Sequence, residues 1–385
     1  MYVLRSFGEG LKMKIGIDAR VLQGERRGQG QYAYYLIKNL LKIDKINEYV
    51  LFYNGLKAGK FAFDLTIPNL RQIWCHVPGR ILKKLWSYLS WPSIELLIGP
   101  IDIFHHTMNY NMTHYTPIPT HKKMVATFHG TASPELLSSS YTYKDLKEWA
   151  KAVASSASII IAVSRMAKEN FLAYASFPED KMRVIYLAAD PIFMPIKDKE
   201  FLKAGLSRYG LGNKKYILYV GGGEKNKNLK TLLKAFSIIN RNHNLYLVLV
   251  GGINPATFKD ELKGISDKVT FKAHVSHNDL VYLYNGARVF VLPTFYEWFG
   301  LPVIEAMACG TPVVCSKNTG ALEVVGDAAL TFDPENVEEM AVSIKTVLQD
   351  EGLQANLREK GFEKARHLSW EKTARATLRV YREVI

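Results

Sequence analysis

Two carboxylates eight residues apart, Glu297 and Glu305, could hold a polar ligand between them. They flank a Phe-Gly-Leu-Pro turn that follows an apolar strand predicted over residues 288–293. Gly300 lets backbone N–H groups approach a ligand, and Pro302 suits the first helical position, where its missing N–H would be unpaired anyway. The arrangement predicts that both carboxylates face one cleft. A Glu in the first helical turn also complements the helix dipole, so a structural role for Glu305 stays open at this point.

A glycine-rich loop with two lysines, GGGEKNKN over residues 221–228, precedes a predicted helix. Glycines such as Gly222 allow close backbone approach, the amino end of the helix is partially positive, and Lys225 and Lys227 add full charges. Such a loop suits a phosphate group, although a solvated turn would have the same composition. It is not a Walker A loop, because the G-x-x-x-x-G-K-[ST] pattern is absent.

A second glycine pattern lies near the start of the chain. Gly28, Gly30 and Ala33 form a G-x-G-x-x-A pattern at the opening of a helix predicted over residues 32–43, which indicates another phosphate site. The strand that follows ends on Asn54. Dinucleotide-binding domains use an acidic residue there to hold the ribose, so this ending counts against a dehydrogenase.

The elements that must position these residues alternate between strand and helix along the chain. This alternation is typical of parallel sheets with helices on both faces. A charged segment with two prolines separates the first series from a second one, which restarts with a strand at 216–220. We therefore predict two Rossmann-like α/β domains, at 13–192 and 193–368, followed by a C-terminal helix within 369–385.

Composition bounds the class of protein. A length of 385 residues with 48% hydrophobic residues is enough for two packed cores. The net charge of +14 favours acidic partners, namely nucleic acid, anionic lipid or phosphorylated small molecules. No zinc-finger pattern or aromatic RNA-binding string is present, so nucleic-acid binding is not expected. Cys75, Cys309 and Cys315 form no C-x-x-C pair, which argues against disulfides and zinc.

Contact with a membrane is a separate question. No apolar run reaches the roughly 18–20 residues of a membrane span, and residues 1–12 contain no secretory apolar region, so we expect a cytoplasmic protein. Residues 80–91 (RILKKLWSYLSW) mix basic and aromatic side chains, as helices at a membrane surface do. A packed amphipathic helix is favoured, and peripheral contact with the inner face of an anionic membrane stays open.

Residues 297–314 (EWFGLPVIEAMACGTPVV) resemble the E-x7-E signature of retaining glycosyltransferases of family 4 at every specified position. Residues 219–236 look like the donor-phosphate segment of that family, and residues 14–36 are similar to its opening. The string KMVATFHG resembles the strand ending on the family's active-site histidine, which falls on His129. Without this match, a lone histidine at a strand end is more often structural. The resemblance implies a GT-B fold, with two Rossmann-like domains facing a cleft and a last helix that crosses back.

The same resemblance implies roles for the residues of the carboxylate turn. Glu305 would hold the nucleotide ribose of the donor. Glu297 and the backbone of Phe299, Gly300 and Leu301 would bind the sugar hydroxyls. The second domain would therefore bind most of the activated sugar.

The phosphate contacts are implied in the same way. Lys227, with Gly30 from across the cleft, would neutralise the diphosphate, which gains negative charge as its bond to the anomeric carbon breaks. An arginine that the family usually has nearby is absent, because its two usual positions hold Gly222 and Asn226. Lys225 is the candidate substitute.

His129 and Glu297 are the implied catalytic residues, although Gly130 follows His129 where many members have an aspartate. No Asp-x-Asp motif stands in a suitable context for a metal, so we expect retained stereochemistry with no metal and no cofactor. The glycine loop and the GDAAL string resemble bacterial and archaeal mannosyl- and rhamnosyltransferases. This favours GDP-mannose as donor and a glycan or polyprenyl-diphosphate-linked acceptor in lipopolysaccharide or related synthesis. A UDP-sugar-using transferase, a nucleotide-sugar epimerase and a non-catalytic sugar-nucleotide-binding protein are the alternatives.

Overall fold

The chain folds around two parallel sheets of seven and six strands. The computed structural model describes residues 12–23, 28–56, 59, 61–64, 66–107, 118–131, 143–240 and 244–385, without the side chain of residue 143. Thirteen strands and thirteen α-helices lie within these ranges.

The first sheet has the strand order β3-β2-β1-β4-β5-β6-β7. Its strands are β1 Lys14–Asp18, β2 Glu48–Asn54, β3 Leu70–Cys75, β4 Ile103–His106, β5 Lys123–Phe128, β6 Ile159–Ala162 and β7 Met182–Val184. The helices between them are α1 Gln29–Ile43, α2 Gly79–Leu89, α3 Ile94–Ile98, α4 Tyr143–Ser156 and α5 Arg165–Tyr174.

The second sheet has the order β10-β9-β8-β11-β12-β13. Its strands are β8 Tyr216–Val220, β9 Tyr246–Val250, β10 Val269–Lys272, β11 Val289–Leu292, β12 Val313–Ser316 and β13 Ala329–Phe332. The remaining helices are α6 Lys199–Ser207, α7 Leu229–Ile239, α8 His277–Gly286, α9 Leu301–Cys309, α10 Leu322–Val325, α11 Val337–Gln349, α12 Glu351–His367 and α13 Trp370–Glu383.

Both faces of the sheets are buried, because alternate residues of one strand enter different hydrophobic clusters. Along β2, Tyr49, Leu51 and Tyr53 pack into one cluster, whereas Val50 and Phe52 pack into another. The same alternation divides β8. Near-continuous apolar strands are what a doubly covered parallel sheet requires. The predicted pair of Rossmann-like sheets is therefore confirmed, and the domain bounds 13–192, 193–368 and 369–385 stay predictions.

Each sheet reverses its strand order once, between β1 and β4 in the first and between β8 and β11 in the second. The connections leave on opposite sides at such a point, so a crevice forms outside the carboxyl ends of the strands. Asp18 and His106 end the strands at the first crevice. The glycine loop after β8 and the carboxylate turn after β11 form the second.

The last helix, α13, packs against α1 in the first half of the chain. The buried Tyr381 hydroxyl lies 2.6 Å from His105 Nδ1, and the Thr373 hydroxyl donates to the Tyr186 carbonyl at 2.7 Å. None of the helices in the described part of the chain combines the length and the hydropathy that a membrane crossing requires.

Candidate active site

An ion pair joins the glycine loop to the carboxylate turn at the second crevice. Lys227 Nζ lies 2.8 Å from Glu297 Oε2, and 23% and 20% of the two side chains are exposed. Burial disfavours the charged ammonium, but the charges of Glu297 and Glu224 outweigh burial and raise the pKa of Lys227. Lys227 is therefore a full cation at neutral pH, and an incoming diphosphate would compete with Glu297 for it.

The carboxylate turn leaves backbone donors open at the start of α9. Gly300 caps this helix with a φ of 82°, and Pro302 stands in its first turn. The N–H groups of Phe299, Gly300 and Leu301 have no acceptor within the described residues. Open N–H groups and the positive end of the helix dipole suit hydroxyl or anionic oxygens of a ligand.

Glu305 lies in different surroundings from Glu297. Only 4% of Glu305 is exposed, and its Oε2 accepts a hydrogen bond from the Tyr284 hydroxyl at 2.9 Å. Burial raises the pKa of Glu305 to about 7, although the Tyr284 hydrogen bond acts in the opposite direction. Glu305 lies one turn into α9. Within the described residues, however, no hydrogen bond or ion pair joins the two carboxylates to each other.

The glycine loop is held close to the sheet by contacts that leave little room for side chains. The Tyr219 hydroxyl donates to the Gly222 carbonyl at 2.8 Å. A Cβ at Gly251, which has a φ of 133°, would overlap the Gly221 carbonyl. The Lys225 side chain is exposed and has no hydrogen-bond or ion-pair partner within the described residues. It is thus free to contact a ligand, and its predicted role in place of the missing arginine stays untested.

Asn228 fixes the start of α7 from below the loop. It is buried in the left-handed conformation, with a φ of 54°. Its Nδ2 donates to the carbonyls of Pro293 and Pro334 at 3.0 and 2.6 Å, and its Oδ1 accepts from the Thr231 hydroxyl. These bonds tie the glycine loop to the end of β11, so the elements that carry Lys227 and Glu297 are held together.

His129 follows β5 and is half-buried at the first crevice. Its Nε2 lies 3.1 Å from the Thr107 carbonyl, which can only accept, so Nε2 carries the proton. The ring meets the edge of Tyr32 at 4.7 Å between centroids. Burial lowers the pKa of His129 to about 4, while the bond to Thr107 acts against this shift. At neutral pH the imidazole is uncharged, and its Nδ1 is an acceptor.

The residue after His129 packs against the carboxylate turn of the other half. Gly130 has a φ of 87°, and a Cβ there would overlap the indole of Trp298. A side chain at 130 and this placement of Trp298 therefore exclude one another. The sequence showed Gly130 as a departure from the family pattern, but only the tertiary structure shows what occupies the space.

A buried carboxylate that the sequence did not single out, Asp18, lies at the same crevice, and Thr107 bonds both it and His129. Asp18 is fully buried and accepts from Arg20 Nε and Nη2 at 2.8 and 2.7 Å, with His106 Nε2 3.6 Å away. Burial acts to raise the pKa of Asp18, but Arg20 and His106 outweigh it and hold that pKa below its usual value. The Thr107 hydroxyl donates to the Asp18 carbonyl. The available signal was that Asp18 and His106 both end strands at a crevice.

The start of α1 contacts the second half of the molecule. Gly30 is buried in the first turn of α1, and Gly28 before it has a φ of 39°. Residues 24–27, the rest of this predicted phosphate loop, lie outside the described residues. Gln31 Nε2 lies 3.2 Å from His277 Nδ1 on α8. The structure thus places Gly30 next to an inter-domain contact.

Metal binding was not expected from the sequence. In the described ranges, no three His, Cys, Asp or Glu side chains are grouped as a metal site would need. The independence of the reaction from metals and cofactors stays a prediction.

Two family models match the chain, one in each half. "Glycosyltransferase Family 4" matches residues 26–192, and "Glycosyl transferases group 1" matches residues 207–364. The second match contains both the glycine loop and the carboxylate turn.

Curated relatives extend the similarity over the full length. O-antigen chain mannosyltransferase B of Escherichia coli is 29% identical over 96% of this chain and 100% of its own length. O-antigen chain mannosyltransferase RfbU of Salmonella typhimurium is 27% identical over 74% and 76%. Mannosylfructose-phosphate synthase of Agrobacterium fabrum is 32% identical over 49% and 44%.

Solved structures are similar in fold. Sucrose-phosphate synthase from Thermosynechococcus elongatus superposes with a TM-score of 0.74 at 22% identity, over 97% of this chain and 99% of that one. WaaG, a glycosyltransferase involved in lipopolysaccharide biosynthesis, superposes with a TM-score of 0.71 at 14% identity, over 95% and 98%. Both align across the two sheets together.

Proposed function

This chain belongs to glycosyltransferase family 4 and has the GT-B fold, and we infer that it transfers mannose from GDP-mannose to a glycan. Transfer of a sugar in polysaccharide synthesis follows from the family and its relatives. The finer proposal is a mannosyl donor, retained stereochemistry and a reaction that needs no metal. The observation that carries transfer from a donor with a diphosphate leaving group is the 2.8 Å Lys227–Glu297 pair at the second crevice.

The donor sugar is inferred from three relatives whose names specify mannose. Two of them are O-antigen chain mannosyltransferases, and the third is mannosylfructose-phosphate synthase. The three relatives are 27–32% identical to this chain, and their names support a mannosyl donor.

The site chemistry supports departure of a diphosphate. Breaking the bond at the anomeric carbon places negative charge on the diphosphate and positive charge on the sugar ring. We expect Lys227 to move from Glu297 to the diphosphate, while the open N–H groups at the start of α9 bind donor oxygens. The freed Glu297 carboxylate would then accept from the sugar hydroxyls. Neutral His129 would accept a hydrogen bond at Nδ1 from a hydroxyl group on the reacting face.

Contact with an anionic membrane is supported by the surface around α2. Tyr88 and Leu89 are 83% and 65% exposed, and Trp91 beyond the helix is 56% exposed. Arg80 and Lys84 are exposed on the same helix. Basic side chains beside exposed apolar ones suit the surface of an anionic bilayer, where a lipid-linked acceptor would lie.

Donor choice is tested by thermal unfolding with GDP-mannose, UDP-glucose and dTDP-rhamnose. We expect GDP-mannose to stabilise most, because a ligand at 100 times its dissociation constant adds about 2.7 kcal/mol. Lys227→Gln should lose this shift, whereas Lys234→Gln, an exposed lysine on α7, should keep it. If UDP-glucose raises the unfolding temperature more than GDP-mannose does, the donor is a UDP-sugar.

Transfer itself is tested on a mannose-terminated acceptor, with product anomers read by NMR. We expect an α-linked product, unchanged rates in EDTA, and turnover reduced more than donor affinity in Glu297→Ala and His129→Ala. A β-linked product or loss of activity in EDTA would contradict retention or metal independence. Epimerised sugar from donor alone would favour an epimerase, and donor binding without transfer would favour a binding protein.

The membrane contact is tested by co-sedimentation with phosphatidylglycerol vesicles at low and high salt. The paired change Tyr88→Ser and Leu89→Ser should reduce binding at both salt concentrations. Val342→Ser, a 62% exposed apolar residue on α11, should not. If vesicle binding is unchanged by salt concentration and by the paired change, this part of the proposal is refuted.

A further inference from the structure

A basic pocket lies on the second domain at the amino ends of its strands, opposite the edge that carries Lys227 and Glu297. Its volume is about 550 Å³, within the range of small-molecule sites. The segments that lead into β8, β9 and β11 line it, together with the last turns of α7 and α11. The proposed transfer reaction makes no use of this pocket.

Four cations line the pocket, namely Lys214, Lys215, Arg288 and Lys345, and no described carboxylate lines it with them. None of the four forms an ion pair within the described residues. Arg288 is half-buried, and its guanidinium has no hydrogen-bond acceptor in the described part of the chain. A guanidinium carries five N–H donors, and those of Arg288 are taken by no described acceptor and stay accessible at the pocket. They are therefore available to a ligand that supplies acceptors.

Helix dipoles account for only part of this charge. The carboxyl ends of α7 and α11 line the pocket, and each carries roughly half a negative charge. Two such ends offset about one of the four positive charges. About three are not offset by the lining, which is comparable in size to the charge of a diphosphate.

The rest of the lining combines three amide side chains with an apolar wall; the amides are Asn213, Asn244 and Gln349. Tyr246 presents its ring with Lys214 Nζ at 4.3 Å and Lys268 Nζ at 4.9 Å from the centroid. Leu245 and Leu348 complete the wall. A cationic rim over an aromatic and aliphatic wall matches a ligand that joins a phosphate to a less polar part.

We propose that this pocket is a second binding site, separate from the donor site, for a phosphate-bearing ligand. Arg288 would bind the phosphate through paired N–H donors, and Lys215 and Lys345 would supply further charge. A soluble phosphorylated molecule and the headgroup of an anionic lipid share this chemistry. The two sources are separated by experiment.

The soluble source is tested by calorimetric titration with inorganic pyrophosphate in the Lys227→Gln background, which weakens the donor site. We expect about one site per chain to remain. Arg288→Gln and Lys345→Gln should each weaken it at least tenfold, whereas Lys234→Gln removes the same charge elsewhere on the domain and should not. Lys345 is exposed, so its variant reports on binding even where Arg288→Gln unfolds.

The lipid source is tested by co-sedimentation of the same proteins with phosphatidylglycerol vesicles. Vesicle binding that falls in Lys345→Gln, without pyrophosphate binding, would assign the pocket to a lipid headgroup. Pyrophosphate binding with vesicle binding unchanged would assign it to a soluble ligand. If pyrophosphate binding and vesicle binding are each the same in Arg288→Gln, Lys345→Gln and Lys234→Gln, the proposed site does not exist.

Discussion

Glu305 accepts a hydrogen bond from Tyr284 on α8 and is almost fully buried. Burial disfavours the charged form and raises the pKa of Glu305 from its ordinary value of 4.5 to about 7. The folded state therefore holds a proton that the unfolded chain has already released between these two values. The free energy of unfolding therefore falls as pH rises from about 4.5 to about 7. Above that range both states are ionised and it stays constant.

Glu305→Gln should abolish this loss, because an amide keeps an acceptor for Tyr284 but does not ionise. The shift corresponds to a stability difference of about 3 kcal/mol between pH 4 and pH 8. We expect urea unfolding to show Glu305→Gln gaining on the wild type as pH rises from 5 to 8. An equal difference between the two proteins at both pH values would contradict the raised pKa.

Gly130 combines a positive φ with contact to Trp298, and the two effects can be separated. Gly130→Ala should cost about 1–2 kcal/mol from the backbone and about 1–3 kcal/mol more from the displaced indole. Gly210→Ala is the matched control, because Gly210 has a φ of 71° and no atom within 4 Å of an added Cβ. Urea unfolding measures the cost of each variant, and tryptophan fluorescence reports whether the indole is displaced.

The larger part of the Gly130→Ala cost should disappear in Gly130→Ala with Trp298→Ala, when compared with Trp298→Ala alone. Equal costs for Gly130→Ala and Gly210→Ala, with unchanged fluorescence, would show that Trp298 does not occupy this space in solution.

At the scale of elements, one carboxylate joins the two halves through a helix end. Glu323 on α10 accepts from the backbone N–H groups of Arg165 and Met166 at 2.7 Å each, at the start of α5. It also accepts from the Tyr186 hydroxyl at 3.2 Å. A negative charge at the amino end of a helix satisfies open donors and complements the dipole. Glu323 thus caps a helix of the other domain.

Glu323→Ala should expose these two amides and weaken the inter-domain contact by about 1–2 kcal/mol. Hydrogen exchange should become faster at Arg165 and Met166 and stay unchanged in β5 and β6. Glu169→Ala on the outer face of α5 is the control. Unchanged protection at both amides would mean that the cap does not persist in solution.

At the scale of the whole molecule, the end of the chain completes a buried network in the first half. Tyr381 on α13 bonds His105, His105 Nε2 lies 2.8 Å from the Thr127 hydroxyl, and that hydroxyl lies 2.8 Å from Tyr32. Burial lowers the pKa of His105 to about 3, so its ring is neutral. Loss of one member leaves a buried polar atom without a partner.

Tyr381→Phe should therefore destabilise the protein by about 1–3 kcal/mol, measured by urea unfolding. Tyr88→Phe removes a hydroxyl from an 83% exposed side chain and should change stability by less than about 0.5 kcal/mol. Equal effects of the two changes would mean that water replaces the Tyr381 hydroxyl.

Local patterns in the sequence predicted most elements that carry the site. β8 matches its predicted bounds, a helix follows the glycine loop as predicted, and α1 begins at Gln29, before the predicted start at residue 32, because Gly28 supplies the turn. The strand β3 was missed. It is an edge strand with mostly half-buried residues, so it lacks the apolar run that marked its neighbours.

Two Rossmann-like halves, the glycine loop, the carboxylate turn and the family could be predicted from the sequence, because each depends on residues near one another in the chain. The partners of these residues depend on the three-dimensional fold. Lys227 meets Glu297 because β8 and β11 are neighbours, Trp298 takes the space beside Gly130, and Arg288 is left without an acceptor. Sheet order sets which strand ends meet, and burial then sets whether Glu305 carries a charge.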